Sequence, residues 1–125
     1  MITGDTVFNG GVGNCKNGGD PHDLYQTIKS FFIPLEDSVV IYPSHDYFLT
    51  NLKFAKSIDP SNQNIDNYIF KTEAERKLNK FSLTNIGQEK LYNPFFRAFD
   101  ESFRKMFNLS EEELFLNIRS QRDHW

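Results

Sequence analysis

The stretch Ser38–Tyr47, SVVIYPSHDY, decides how the chain is read. Val39 to Tyr42 form an apolar run with the composition of a buried strand. Pro43 then turns the chain into four polar or amphipathic residues: Ser44, His45, Asp46 and Tyr47. In α/β folds, ligands collect beyond the carboxyl ends of strands, so His45 is a candidate functional residue by position alone. After Tyr47 no strong strand signal recurs, and the apolar residues change to helical spacing. The sequence therefore predicts an α/β opening of about 46 residues followed by an all-helical remainder, mostly helical overall.

Upstream of this stretch, Ile2 and Thr3 read as the end of a strand and Val7–Phe8 as a short extended piece. Asn9 to Gly19, NGGVGNCKNGG, reads as a loop, with five glycines in eleven residues. Asp20 is placed to cap a helix and Pro21 to begin it, where the missing N–H costs nothing. That helix is expected over His22 to Phe32, and IPLEDS turns the chain back into the strand. A strand-like segment opens the sequence at Met1 with nothing before it to pair with. The reading is therefore of part of a longer chain.

Downstream, Phe48 to Ile58 is expected to be helical. Asp59-Pro60-Ser61 breaks it, and Ser61 or Asn62 caps a helix from about Ile65 to Leu78. Ser82 to Asn85 reads as a linker and Ile86 to Leu91 as a short helical turn. YNPFFRAF, residues 92–99, is a proline-broken segment with aromatic anchors. Glu101 to Phe107 reads as another short helix. Ser110 with Glu113 has the capping-box spacing and opens a last helix to about Gln121.

The 125 residues suffice for one domain with a core, and 13 phenylalanines are available to fill it. The net charge of −3 offers no general attraction to nucleic acid or to an anionic membrane. No apolar run approaches the roughly 18–20 residues that span a bilayer, and MITGDTVFNG lacks the features of a signal peptide. Cys15 stands alone and forms no internal disulfide, which fits a reducing, cytoplasmic setting, with a mitochondrial one as the alternative.

Several residues carry candidate chemistry. Gly4-Asp5-Thr6 reads first as a turn, with a strand-end carboxylate aimed at a metal as the alternative. The glycine-rich loop does not match G-x-G-x-x-G and does not open a helix directly, so it is not read as a dinucleotide site. It is suited to lying close to a ligand or to other backbone. His22 and His124 have no metal-ligand spacing, and Cys15 has no CxxC partner. Arg119 and Arg122, three apart, share a helix face. They form either a solvated surface or a carboxylate clamp.

Taken together, TGDTVFNGGVG, YPSHDY, TNLKFAKSIDPSN, LYNPFFR and RSQRD, in that order, resemble the second half of glyoxalase II. This is the hydroxyacylglutathione hydrolase family of the metallo-β-lactamase superfamily. The resemblance implies an αββα sandwich followed by a small helical domain, with residues 1–46 in the first and 47–125 in the second. It implies hydrolysis of S-D-lactoylglutathione to D-lactate and glutathione, a step of methylglyoxal detoxification. Two metal ions, commonly zinc with iron or manganese as alternatives, polarise the thioester and activate water. By resemblance Asp5 bridges the two metals and His45 is a terminal ligand of the second. Tyr47, Asn51 and Arg119 match glutathione contacts. Arg122 stands where the family usually has lysine, and Asn14 and Lys16 are the nearest counterparts of the family's K-x-Y.

One departure is large. The family's T-H-x-H-x-D-H motif and its further histidine are absent, and two ligands do not hold a binuclear centre. This chain alone is therefore expected to be inactive, with an N-terminal half as its natural partner. One alternative is a non-catalytic module that binds glutathione conjugates or a partner. Another is a persulfide dioxygenase-like protein, which shares the YPxHDY pattern but lacks the helical tail.

Overall fold

The computed structural model describes residues 1–16 and 18–125. Asn17, inside the stretch read as a glycine-rich loop, lies outside the described residues. The chain opens with three short strands, β1 (Ile2–Gly4), β2 (Val7–Phe8) and β3 (Gly11–Val12). Helix α1 (Pro21–Thr27) runs on into a π-helical turn over Ile28–Phe32 and is followed by β4 (Val40–Pro43). Then come α2 (Phe48–Ile58), α3 (Gln63–Lys77), β5 (Thr84–Asn85) and α4 (Ile86–Tyr92). Three further helices complete it: α5 (Pro94–Arg97), α6 (Glu101–Lys105) and α7 (Glu111–Asp123). Among the described residues no helix is long and apolar enough to cross a membrane.

The helix boundaries follow local chemistry. Asp20 accepts a hydrogen bond from the His22 N–H, with Pro21 beginning α1. Asn62 accepts from the Asn64 N–H at the start of α3. Asn79, with φ +55°, ends α3: its own N–H and that of Lys80 return to the carbonyls of Arg76 and Glu75. Asparagine tolerates this left-handed cap better than most residues. Asn85 and Gln88 form a complete capping box on α4, which the sequence reading missed. At α7 the expected box is half made. Ser110 accepts from the Glu113 N–H, while the Glu113 carboxylate takes the Ser110 hydroxyl instead of a backbone N–H.

Two strands correct the sequence reading. Gly11–Val12 belongs to a hairpin with β2, pairing Val7 with Val12 and Phe8 with Gly11 around an Asn9-Gly10 turn. Thr84–Asn85, expected as linker, pairs antiparallel with β4. Each strand has only two residues, too few for alternation to register. Their pairing is set by tertiary contacts rather than by local pattern. The three-stranded sheet has the order β1-β4-β5, with β1 and β4 parallel.

A core of buried side chains runs through both the opening and the helical remainder. It joins Val7, Ile28 and Ile41 to Phe54, Phe95 and Phe115. A second cluster fills the space between α2, α3 and α4, built on Phe48, Leu52, Ile65 and Tyr92. Most phenylalanines are indeed buried: Phe8, Phe32, Phe48, Phe54, Phe95, Phe96, Phe103 and Phe115. The β2–β3 hairpin is thus held against the helices, and the groove described next forms along that seam.

Candidate functional site

Parallel pairing of β1 with β4 brings two chain reversals side by side. Gly4 pairs with Pro43, and the Ser44 N–H donates to the Gly4 carbonyl at 3.0 Å. Asp5 and His45, forty residues apart, therefore meet at the carboxyl ends of adjacent strands, with Asp5 Oδ1 3.2 Å from His45 Nδ1. Ser44, between them, donates its hydroxyl to Asp5 Oδ1, and its Oγ lies 2.9 Å from His45 Nδ1. The Ser44 hydrogen bond holds the Asp5 carboxyl below its usual range, and His45 adds to this. Both side chains are open to solvent, Asp5 at 76% and His45 at 55% exposure.

The imidazole and carboxylate are of the donor types that zinc accepts. Among the described residues, however, no three His, Cys, Asp or Glu side chains gather as a metal site. The pair fits a metal in kind and falls short in number. A metal bound here needs ligands that these residues do not supply.

Beyond His45 the groove becomes aromatic. Tyr47 stacks on His45, with centroids 5.3 Å apart and planes 14° from parallel, and meets the edge of Phe8 at 5.1 Å. A cavity of about 310 Å³ is lined by Asp5, Phe8, Gly13, Asn14, His45 and Tyr47. An adjoining cavity of about 210 Å³ is lined by Phe8, Val12, Asn14, Lys16, Tyr47, Asn51, Arg119, Arg122 and Asp123. The two share Phe8, Asn14 and Tyr47, so they form one groove. All eight residues singled out in the sequence line it.

Their immediate partners differ. Arg119 is nearly buried. It donates to the carbonyls of Val12 at 3.1 Å and Gly13 at 2.8 Å, and its guanidinium lies 3.0 Å from Asp123 Oδ1. Burial pulls its pKa down, opposed by the charge of Asp123. Its Nε has no hydrogen-bond partner among the described residues. Asn51 is also buried and donates to the Asn9 carbonyl at 3.0 Å. Lys16 reaches the Asp123 carbonyl at 2.9 Å. Arg122 lies over the rings of Phe54 and Trp125, at 5.8 and 5.4 Å. Arg119 and Asn51 thus shape the groove by holding the glycine-rich segment, while Lys16 and Arg122 bring charge to its rim.

Gly13 joins the two ends of the groove. Its N–H donates to the Thr6 carbonyl at 2.9 Å. A Cβ at this position would lie 2.2 Å from the Asp5 carbonyl oxygen, so only glycine fits this close backbone approach.

Similarity to known proteins bears on this geometry. A family model described as "Hydroxyacylglutathione hydrolase C-terminus" matches residues 46–125. The chain belongs to the hydroxyacylglutathione hydrolase family. A hydroxyacylglutathione hydrolase of Rhizobium johnstonii is 33% identical over 129 aligned positions, covering 100% of this chain and 50% of the relative. One from Polaromonas sp. is 32% identical over 134 positions, again across the whole chain and 51% of the relative. One from Dictyostelium discoideum is 38% identical over 101 positions, covering 78% of this chain and 37% of the relative. The chain spans about half the length of the two bacterial relatives and 37% of the Dictyostelium one.

Sequence reasoning missed Ser44, Phe8, Asp123 and Glu89. Ser44 and Phe8 stood inside quoted motifs but carried no signal of their own. Glu89 had one: it lies three residues after Ile86 and three before Tyr92, so an acidic residue occupies the buried stripe of a short helix.

Proposed function

We propose that this chain supplies the glutathione-binding portion and two metal ligands of a metal-dependent thioester hydrolase. Its substrate would be an S-2-hydroxyacylglutathione, S-D-lactoylglutathione foremost, cleaved by water to the 2-hydroxy acid and glutathione. The observation that carries this reading is the continuity of the groove. A carboxylate–imidazole pair stands at one end, and Lys16, Arg119 and Arg122 stand at the other. Glutathione carries two carboxylates, and a rim of guanidinium and ammonium groups is suited to them. Tyr47, stacked on His45, offers an aromatic face where the thioester would cross from one end to the other.

Asp5 and His45 are the residues that would hold metal, zinc foremost, with iron or manganese as alternatives. A metal there supplies carbonyl polarisation and a more acidic water. Three protein ligands per catalytic zinc is the usual count, so the remaining ligands would come from an N-terminal half. On this reading residues 1–46 complete a metallo-β-lactamase sandwich, residues 47–125 form the helical domain, and the chain alone is inactive.

A second reading, a non-catalytic holder of glutathione conjugates, draws on the same groove, whose basic end needs no metal ligand. The match of residues 46–125 to the hydrolase C-terminus favours the hydrolase family over a persulfide dioxygenase-like protein. The deciding experiment assays S-D-lactoylglutathione hydrolysis by this chain with added zinc and measures glutathione binding by calorimetry. Binding without turnover is expected. Turnover by the chain alone would overturn the partial-site reading. Absence of binding, with or without zinc, would overturn the glutathione reading.

A further inference from the structure

Glu89 is wholly buried and has no cation among its hydrogen-bond partners. An ionised carboxylate in such a place is costly unless its oxygens are fully used. Here they are. Oε2 accepts from the Gly10 N–H at 2.9 Å and from Asn93 Nδ2 at 2.7 Å. Oε1 accepts from the Thr84 hydroxyl at 2.7 Å and from the Tyr92 hydroxyl at 2.9 Å.

Two of these donors extend the link to the residues beside Gly10. The Thr84 oxygen accepts from Asn9 Nδ2 at 2.7 Å. Asn93 Nδ2 also reaches the Gly11 carbonyl at 3.3 Å. Both turn residues, Asn9 and Gly10, and Gly11 at the start of β3 are therefore tied to this one carboxylate, directly or through one side chain. Gly10 has φ +74° and no side chain of its own to anchor it. Immediately after the hairpin, Arg119 takes the Val12 and Gly13 carbonyls, and then Asn14 and Lys16 enter the groove.

We propose that Glu89 is a positioning residue for glutathione. It fixes the start of the Asn9–Lys16 segment, as Arg119 fixes its middle, and so sets where Asn14 and Lys16 stand. Glu89 itself lines neither cavity of the groove and acts through Gly10. The functional half of this inference rests on the glutathione reading above.

Four donors converge on two oxygens, and a glutamine offers one oxygen while turning an NH₂ toward two of those donors.

The test is Glu89→Gln in the full chain, with amide hydrogen exchange and glutathione affinity as readouts. The expected result is faster exchange at Gly10, Asn14 and Lys16, with α6 amides unchanged. Glutathione binding should weaken about tenfold, the size expected for losing a hydrogen bond to a charged group. Phe103→Leu, a core change at a residue that lines neither cavity of the groove, should lower stability and leave glutathione affinity unchanged.

If Glu89→Gln does not fold, Thr84→Val cuts the link to Asn9 while keeping the carboxylate, and about threefold weaker binding is expected. Unchanged Gly10 protection in Glu89→Gln overturns the proposal. So does lost protection with unchanged affinity, or unchanged affinity in Thr84→Val where that variant stands in. If the unmodified chain binds no glutathione, the glutathione reading fails. The anchoring of the segment by Glu89 is then decided by the exchange data alone, where retained Gly10 protection overturns it.

Discussion

At one end of the groove Asp5, Ser44 and His45 stand largely in solvent and bond chiefly to one another. At the other end Arg119, and behind the groove Glu89, are buried, and most of their polar atoms are taken by the Asn9–Gly13 backbone or by neighbours. The exposed end has two groups of metal-ligand type and, among the described residues, no third. The buried end holds its loop through hydrogen bonds within the chain. The contrast teaches where this chain is self-sufficient. The helices that carry Arg119 and Glu89 hold the hairpin segment in place, whereas the strand ends bring together one carboxylate and one imidazole.

The sharpest way to break this contrast is Arg119→Ala. It leaves the Val12 and Gly13 carbonyls and the Asp123 carboxylate without their cation. A loss of about 4 kcal/mol in urea unfolding is expected, the scale of removing one partner of a buried charged set. Gly13→Ala comes next. The new methyl would press on the Asp5 backbone and pull the two ends of the groove apart. About 3 kcal/mol of destabilisation is expected by the same measurement.

Glu89 gives a pH signature instead. Burial raises its pKa from 4.5 to about 7, while its hydrogen bonds oppose the rise. The folded state therefore keeps a proton that the unfolded chain has already lost. Its contribution to stability falls as pH rises from about 4.5 to about 7, and levels off above that. The steepest slope is about 1.4 kcal/mol per pH unit, and it should vanish in Glu89→Gln in unfolding curves taken across this range. The groups with lowered pKa, Asp5 and Glu111, act with the opposite sign and at lower pH, so they do not mask it.

The smallest effect belongs to the exposed end. Ser44→Ala should change stability by no more than about 0.5 kcal/mol, as surface substitutions do. It should still return the Asp5 carboxyl toward its ordinary range, read by NMR titration of the side-chain carbonyl. An unchanged Asp5 titration would mean that Ser44 does not order the pair.

The long helices were legible because their signals are local. Phe48–Ile58 is read to the residue, and Asp20-Pro21 marks α1 directly. The parts that escaped are those whose meaning is tertiary. Nothing in Gly11-Val12 or Thr84-Asn85 marks a strand until a partner strand arrives. Glu89 looks like an ordinary helical surface residue until Ile86 and Tyr92 are seen to be buried beside it. The residues of the groove were named by motif, yet motif gave no hint that Arg119 and Asn51 spend hydrogen bonds on backbone carbonyls. That division between holding the loop and facing the groove emerges only when residues 107 apart are adjacent.

That separation has a consequence in time. Arg119 reaches back 107 residues to Val12, and Glu89 reaches back 79 to Gly10. Contacts this distant along the chain close late, because the entropy of the intervening loop must be overcome first. On a ribosome, the hairpin emerges well before its anchors, first Glu89 on α4 and only later Arg119 on α7. The basic pocket is therefore assembled from segments that emerge far apart in time, and a nascent chain halted before α7 would carry the glycine-rich segment without its guanidinium anchor.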